Sequence, residues 1–259
     1  MPLVEKNLNV TFTSTPDQLS NLLKKIKDLT TIDPRIVIKI DASTVLLFSF
    51  VGNSFKDIHA FKNYVFSIEE VLTIKKGEID EPIMFIARDG KRLYRILENF
   101  LNYKEEIEGK ISVNDENCIN YISFDTKKMS EKVIGSDPIS IGSQISIDDI
   151  NFLMNIDNSI FNFKLDKTDF LQIKKRGLIE NEPKSVLYIN VNNKMLTIGE
   201  TKWHVNIAEV TSDDIILSFP KAYFNTINPT EHIDIYVFIN FILCKYDDYN
   251  LMIILETSI

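Results

Sequence analysis

The chain has 259 residues, 44% hydrophobic and 25% charged, which fits one large or two ordinary globular domains and excludes disordered and fibrous classes. A net charge of −8 excludes a uniformly basic nucleic-acid binder but leaves room for a local basic face. Only 8 Gly leave little material for phosphate-binding loops, and the distant Cys118 and Cys244 form neither a CxxC pair nor a disulfide framework, which suits a reducing compartment.

In chain order, the opening residues lack a basic stretch followed by an apolar one, so no signal peptide is expected. A first helix is predicted from Thr15 to Asp28, with Thr15 as N-cap, Pro16 at the first helical position, and Leu19, Leu22, Leu23 and Ile26 as one apolar stripe. Strands follow at Arg35–Ile40 and Thr44–Phe50. Ile83–Ile86 leads into a second helix, about Arg88 to Lys104, with Leu93, Leu97, Phe100 and Leu101 inward. Asp115-Glu116 and Ile119–Phe124 read as a closing hairpin. Lys127 to Ser146 is polar, contains Gly135, Pro138 and Gly142, and reads as linker.

A third helix is predicted from Asp166 to Arg176, capped by Asp166 with Asp169 and ended by Gly177. Strands are expected at Val186–Val191, Met195–Ile198 and Lys202–Ala208. A short fourth helix is predicted at about Ser218 to Asn228, opened by Pro220. Two strands close the chain, Ile233–Cys244 and Tyr249–Leu255, joined at Asp247-Asp248. Ile233–Cys244 is the longest apolar candidate, but Asp234 and Asn240 interrupt it, so no membrane span is expected.

The element order strand, helix, strands, helix, hairpin occurs twice. Leu23-Lys24-Lys25 matches Ile173-Lys174-Lys175, and the closing hairpin at Ile119–Phe124 matches the one at Leu251–Leu255. A repeat this long implies two similar domains, not a solenoid. The expected fold class is α+β: residues 1–134 as a first domain, 135–146 as linker and 147–259 as a second domain, each with antiparallel sheets carrying two helices on one face.

Charge follows the same plan. The four helical segments carry a net +7 and the rest of the chain −15. If the helices share one side, that side is basic, which suits a surface facing a phosphate backbone without gripping it.

These residues resemble the sliding clamps, DNA polymerase processivity factors, with those of T-even-type bacteriophages and proliferating cell nuclear antigen the nearest in character. Phe161-Asn-Phe-Lys-Leu-Asp-Lys-Thr-Asp-Phe-Leu-Gln-Ile-Lys-Lys175, Val186–Val191 and Leu196–Gly199 carry the resemblance best, and Leu8–Phe50 repeats it loosely. It implies a non-enzymatic ring of identical subunits around duplex DNA, usually three in phages, with helices lining the hole and sheets outside. It also implies a DNA polymerase as partner and a clamp-loader ATPase that opens the ring. The setting would be viral or phage replication in a bacterial host cytoplasm, with no cofactor. The positions matching DNA-facing basic residues are Lys24, Lys25, Lys27, Lys91, Arg92, Arg95, Lys167, Lys174, Lys175, Arg176 and Lys221. Those matching subunit contacts are Ile119, Tyr121, Ile122 and Phe124 on one side and Trp203, Val205 and Ile207 on the other. No motif marks the family's partner pocket.

Other chemistries find little support. His59, His204 and His232 sit in unrelated contexts without metal-ligand spacing. Glu200-Thr-Lys202 with Asp213-Asp214 is the best nuclease-like arrangement, but no acidic partner lies well upstream. Two other classes fit the same composition: an open monomeric processivity factor that binds DNA directly, and a viral structural β-protein.

Overall fold

The structure is a computed structural model that describes residues 8–52, 58–114, 117–135, 155–179, 186–192, 195–198, 201–204, 206–207, 215–220, 226–227, 232–246 and 249–254. The chain divides into two units. The first comprises residues 1–56 and 63–147, and the second residues 57–62 and 148–259.

In the first unit, β1 (Leu8–Ser14) leads through Thr15 into α1 (Pro16–Leu29). The Thr15 hydroxyl accepts the Gln18 N–H at 3.3 Å and the Gln18 side chain accepts the Thr15 N–H at 2.9 Å, a reciprocal cap. Then come β2 (Ile36–Ile40), β3 (Thr44–Val51), β4 (Ala60–Ser67), β5 (Thr73–Lys76) and β6 (Ile83–Ala87). α2 (Gly90–Asn102) starts where Asp89 accepts the Arg92 N–H at 3.0 Å. β7 (Ile107–Val113), β8 (Ile119–Asp125) and β9 (Ser130–Ile134) close the unit. One sheet runs β5-β1-β7-β8-β9 and the other β4-β3-β2-β6.

Both helices bury most of the stripes their periodicity predicts, while Leu22 and Leu101 are half-buried and Leu29 joins the stripe of α1. Leu19, Leu23, Ile26 and Leu29 of α1 and Leu93, Leu97 and Phe100 of α2 are all at most 4% exposed. Each such side chain contributes on the order of 1.5–3 kcal/mol of transfer free energy. Phe124 meets Phe12 edge-on at 6.1 Å and lies 5.9 Å from Phe100, which joins helix to sheet. The ring of Phe12 lies over Gly109, its cross-strand partner, where any Cβ would overlap it.

The second unit repeats this plan with β10 (Phe161–Asp166), α3 (Lys167–Ile179), β11 (Val186–Asn192), β12 (Met195–Ile198), β13 (Thr201–His204), β14 (Asn206–Ile207), β15 (Ile215–Pro220), β16 (His232–Val237), β17 (Phe241–Lys245) and β18 (Tyr249–Ile254). Within the unit the orders are β14-β10-β16-β17-β18 and β13-β12-β11-β15. Every strand of the first unit therefore has a counterpart nine strands later in the same sheet position. The expected α+β class and doubled architecture hold.

Several expectations change. The closing element of each unit has three strands, so β18 corresponds to β9 and not to β8. Ser130–Ile134, within the polar stretch read as linker, pairs with β8 along its whole length. The strand expected over Ile233–Cys244 is a hairpin: Phe238 N–H donates to the Phe241 carbonyl at 2.9 Å, and the two rings stack 4.2 Å apart. The central residues of the turn are Ile239 and Asn240, with Asn240 the one turn-forming residue among apolar neighbours. The strand expected over Lys202–Ala208 splits between two sheets. α3 runs through Gly177 to Ile179 rather than ending there. Ser218–Pro220 belongs to β15, paired with β11, and most of the remaining expected fourth helix lies outside the described residues.

Beneath α1 and α2 the core holds a cavity of about 50 Å³, lined by Leu19, Ile26, Val45, Leu93 and Leu97 among others. At ~24 cal/mol per Å³, a void of this size costs about 1 kcal/mol. Val45→Ile adds one methylene facing it and is expected to raise stability by about 0.5–1 kcal/mol, read as a higher urea midpoint at unchanged slope. A lowered midpoint would show that the cavity is too narrow beside Val45.

Candidate nucleic-acid interface

Burying one stripe of each amphipathic helix leaves the other outside. On α1 that exposes Lys24 and Lys27, three apart; on α2 it exposes Lys91 and Arg95, four apart, with Arg92 beside them. The helices pack against each other. Their outer sides meet at Tyr94, whose ring centroid lies 5.8 Å from the Lys27 ammonium. Five cations thus share the outer layer of the first unit. Among the described residues none of the five forms a salt bridge.

Asp89 accepts a backbone N–H group at the start of α2, and in the second unit Asp166 accepts that of Asp169 at the start of α3 at 2.8 Å. Asp17 lies in the first turn of α1, where the helix dipole favours a negative charge. Asp28 accepts the Tyr64 hydroxyl at 2.6 Å. Burial, and then the neighbouring Asp166 charge, hold the Asp169 carboxyl above the usual range.

Lys25 departs from the expected set. It is 8% exposed, and its ammonium lies 5.0 Å from the ring centroids of both Tyr64 and Phe66 on β4. A 100° step per residue carries it past the edge of the solvent face, and cation–π attraction holds it against the sheet. Lys175, matched to it in sequence, is exposed, as is Lys167, but the caps at Thr15 and Asp166 align Lys175 with the exposed Lys24 instead. Lys167 and Lys175 flank Leu171, which is 45% exposed. The side chains of Lys174 and Arg176 and the whole of Lys221 lie outside the described residues.

The expected subunit-contact strand is also corrected. β8 lies between β7 and β9, so it has no free edge. Ile119, Ile122 and Phe124 are 3%, 7% and 6% exposed and belong to the core. Tyr121 is half-buried beneath the Lys132 ammonium, 3.6 Å from its ring centroid. β9 is an end strand of this sheet, with β5 at the other end, and it presents an unpaired edge with Ile134 74% exposed. Thr126 N–H donates to Met129 and Gly135 N–H to the Asn120 carbonyl. Alternation between these two bonds directs residues 131 and 133 at β8 and turns the backbone groups of 130, 132 and 134 outward. In the second unit β13, with Trp203, is the end strand of its sheet, whereas Ile207 lies on β14 in the other sheet. The side chains of Trp203 and Ile207, and all of Val205, lie outside the described residues.

Among the described residues, no three His, Cys, Asp or Glu side chains converge as metal ligands. His59 is exposed, and His232 lies 3.8 Å from Asp234. Complete burial pushes the Cys244 thiol up to about 12 despite the opposing charge of Lys62, so it stays protonated at neutral pH. Glu200, Asp213 and Asp214 lie outside the described residues. No helix among the described residues is long and apolar enough to cross a membrane.

No protein-family model matches the sequence, and no curated protein matches it. Solved structures do. The Helicobacter pylori beta clamp bound to a DNA ligase peptide superposes with a TM-score of 0.67 at 10% identity, over 96% of this chain and 67% of that one. A Pseudomonas aeruginosa DNA polymerase sliding clamp gives 0.67 at 13% identity, over 100% and 69%. The DNA polymerase III beta chain of Streptococcus pneumoniae gives 0.63 at 12%, over 96% and 66%. The chain spans about two thirds of the length of these structures. The neighbours are bacterial clamps, and at such identities they establish the fold alone, which is the sliding-clamp fold.

The Lys25 environment yields a sharp contrast. Lys25→Glu, which sets a buried carboxylate against two ring faces, is expected to cost about 2 kcal/mol or more, while Lys25→Met costs less. Lys24→Glu and Lys27→Glu are each expected to stay within about 0.5 kcal/mol. Urea unfolding of the four variants checks this, and equal losses at positions 24 and 25 would contradict the burial of Lys25.

Proposed function

We propose that this chain is a sliding clamp: a non-enzymatic ring that encircles duplex DNA and holds a DNA polymerase to its template. The observation that carries the reading is the outer face of α1 and α2, where Lys24, Lys27, Lys91, Arg92 and Arg95 stand without carboxylate partners on a clamp fold. Solvated cations attract phosphates without sequence readout, and water and salt screening keep the attraction loose enough for sliding. The net charge of −8 opposes binding through other surfaces.

The resemblance to phage clamps supports a homotrimer acting in viral or phage replication in the host cytoplasm, opened by a clamp-loader ATPase. Edge β9 of one copy would pair with β13 of the next. Heterologous pairing of two different edges closes into a ring when the rotation permits. The neighbours are described as a DNA polymerase sliding clamp and a beta clamp bound to a DNA ligase peptide, which supports partners of that kind for this chain.

Two measurements test this. Joint reversal of Lys24, Lys91 and Arg95 to Glu is expected to leave folding and mass unchanged and to reduce polymerase processivity at least tenfold, more at lower salt. Reversal of Lys75, Lys76 and Lys245 is expected to change it far less, and equal effects from the two sets would remove the basic face as the basis of the reading. For assembly, Lys132→Pro deletes an outward N–H while sparing the bonds to β8. A shift from trimer to monomer in solution mass, with unfolding still cooperative, is expected. An intact oligomer would exclude the β9 edge, and a monomeric wild type would favour an open processivity factor.

A further inference from the structure

The basic face also contains Glu98, an acid of α2 that no helix cap uses. Glu98 is three residues from Arg95 and seven from Lys91, so it stands on the same side of α2. It is exposed and, among the described residues, forms no salt bridge. Its Oε1 accepts the Tyr94 hydroxyl at 2.7 Å. That bond, with smaller contributions from burial and from the Glu98 charge, holds the Tyr94 phenol above its ordinary pKa and therefore protonated as a donor. The same ring lies under Lys27, so Lys27, Tyr94 and Glu98 form one chain across the α1–α2 seam.

We infer that Glu98, held in place by Tyr94, is a fixed negative charge within the phosphate-facing layer that limits how tightly this face holds DNA. The inference rests on the DNA-facing reading of α1 and α2. An untethered glutamate could swing to Arg95 and lose its effect by pairing. Tethered through its neighbour's hydroxyl, the carboxylate repels a passing phosphate while the surrounding cations attract it. The net force on the backbone falls without loss of the cations that centre the duplex. Tyr94 acts as a positioning residue.

The test uses the full chain and a fluorescein-labelled mixed-sequence duplex of about 30 base pairs, titrated at about 50 and 150 mM salt. Glu98→Gln keeps a carbonyl that accepts the Tyr94 hydroxyl and removes only the charge. It is expected to tighten binding about threefold or more at the lower salt and to steepen the salt dependence, with unfolding unchanged. Tyr94→Phe keeps the ring under Lys27 but frees the carboxylate, and is expected to fall between wild type and Glu98→Gln. Lys91→Glu and Arg95→Glu separate the two levels of the argument. If they weaken binding while Glu98→Gln leaves it unchanged or weaker, the role of Glu98 is overturned and the DNA-facing reading stands. If Tyr94→Phe matches wild type while Glu98→Gln tightens binding, the positioning by Tyr94 is overturned. If the lysine and arginine reversals change nothing, the DNA-facing reading fails and the inference with it.

Discussion

The arrangement depends on the obligation of α1 and α2 to bury one stripe each. Leu19, Leu23, Ile26 and Leu29 have no stable place except against the sheets, and neither do Leu93, Leu97 and Phe100. Once those stripes are inward, helical periodicity leaves no freedom for the opposite sides. Lys24, Lys27, Lys91, Arg92 and Arg95 must come out together on one layer. The basic face is thus a by-product of core formation, and it can be charged without loss of stability because its members are solvated. Backbone caps also take up acid. Asp89 serves the start of α2 and, in the second unit, Asp166 serves the start of α3, so each carboxylate neutralises N-terminal N–H groups rather than lysines.

A second constraint acts at the sheet ends. A strand pairs on two sides, and a sheet that stays open leaves a row of backbone groups without a partner at each end. In the first unit one such row belongs to β9, a strand whose composition, Ser-Glu-Lys-Val-Ile, resembles a loop. Its polar character is what an exposed edge requires: Ser130, Lys132 and Ile134 face out, and the Lys132 chain covers Tyr121. The nine-strand correspondence between the units makes β9 the counterpart of β18, which closes the five-stranded sheet of the second unit.

The helices of the two units are in register at their caps: aligning Thr15 with Asp166 pairs Lys175 with Lys24, both in solvent, so the sequence pairing of Lys25 with Lys175 is one residue out. Lys25 departs from its neighbours because of what the sheet offers beneath α1. Tyr64 and Phe66 present π faces to Lys25, and a long aliphatic stem lets an ammonium reach them.

Local rules were sufficient for much of this protein. The 3.6-residue spacing of leucines located α1 and α2, Thr15-Pro16 marked the start of α1, and the recurrence of element order exposed the doubled architecture. The uneven distribution of charge followed from counting, because helix surfaces are where lysines and arginines are tolerated. Tertiary structure alone decided which strand is an edge, since pairing is a relation between distant segments and β9 has no distinctive pattern of its own. It likewise decided that Ile239 and Asn240 form a turn, with Phe238 stacked on Phe241, because a single Asn inside an apolar run is a weak turn signal on its own. It separated Lys25 from Lys24 and set Glu98 against Tyr94, because side-chain environment depends on the neighbouring helix and sheet, which no local spacing encodes.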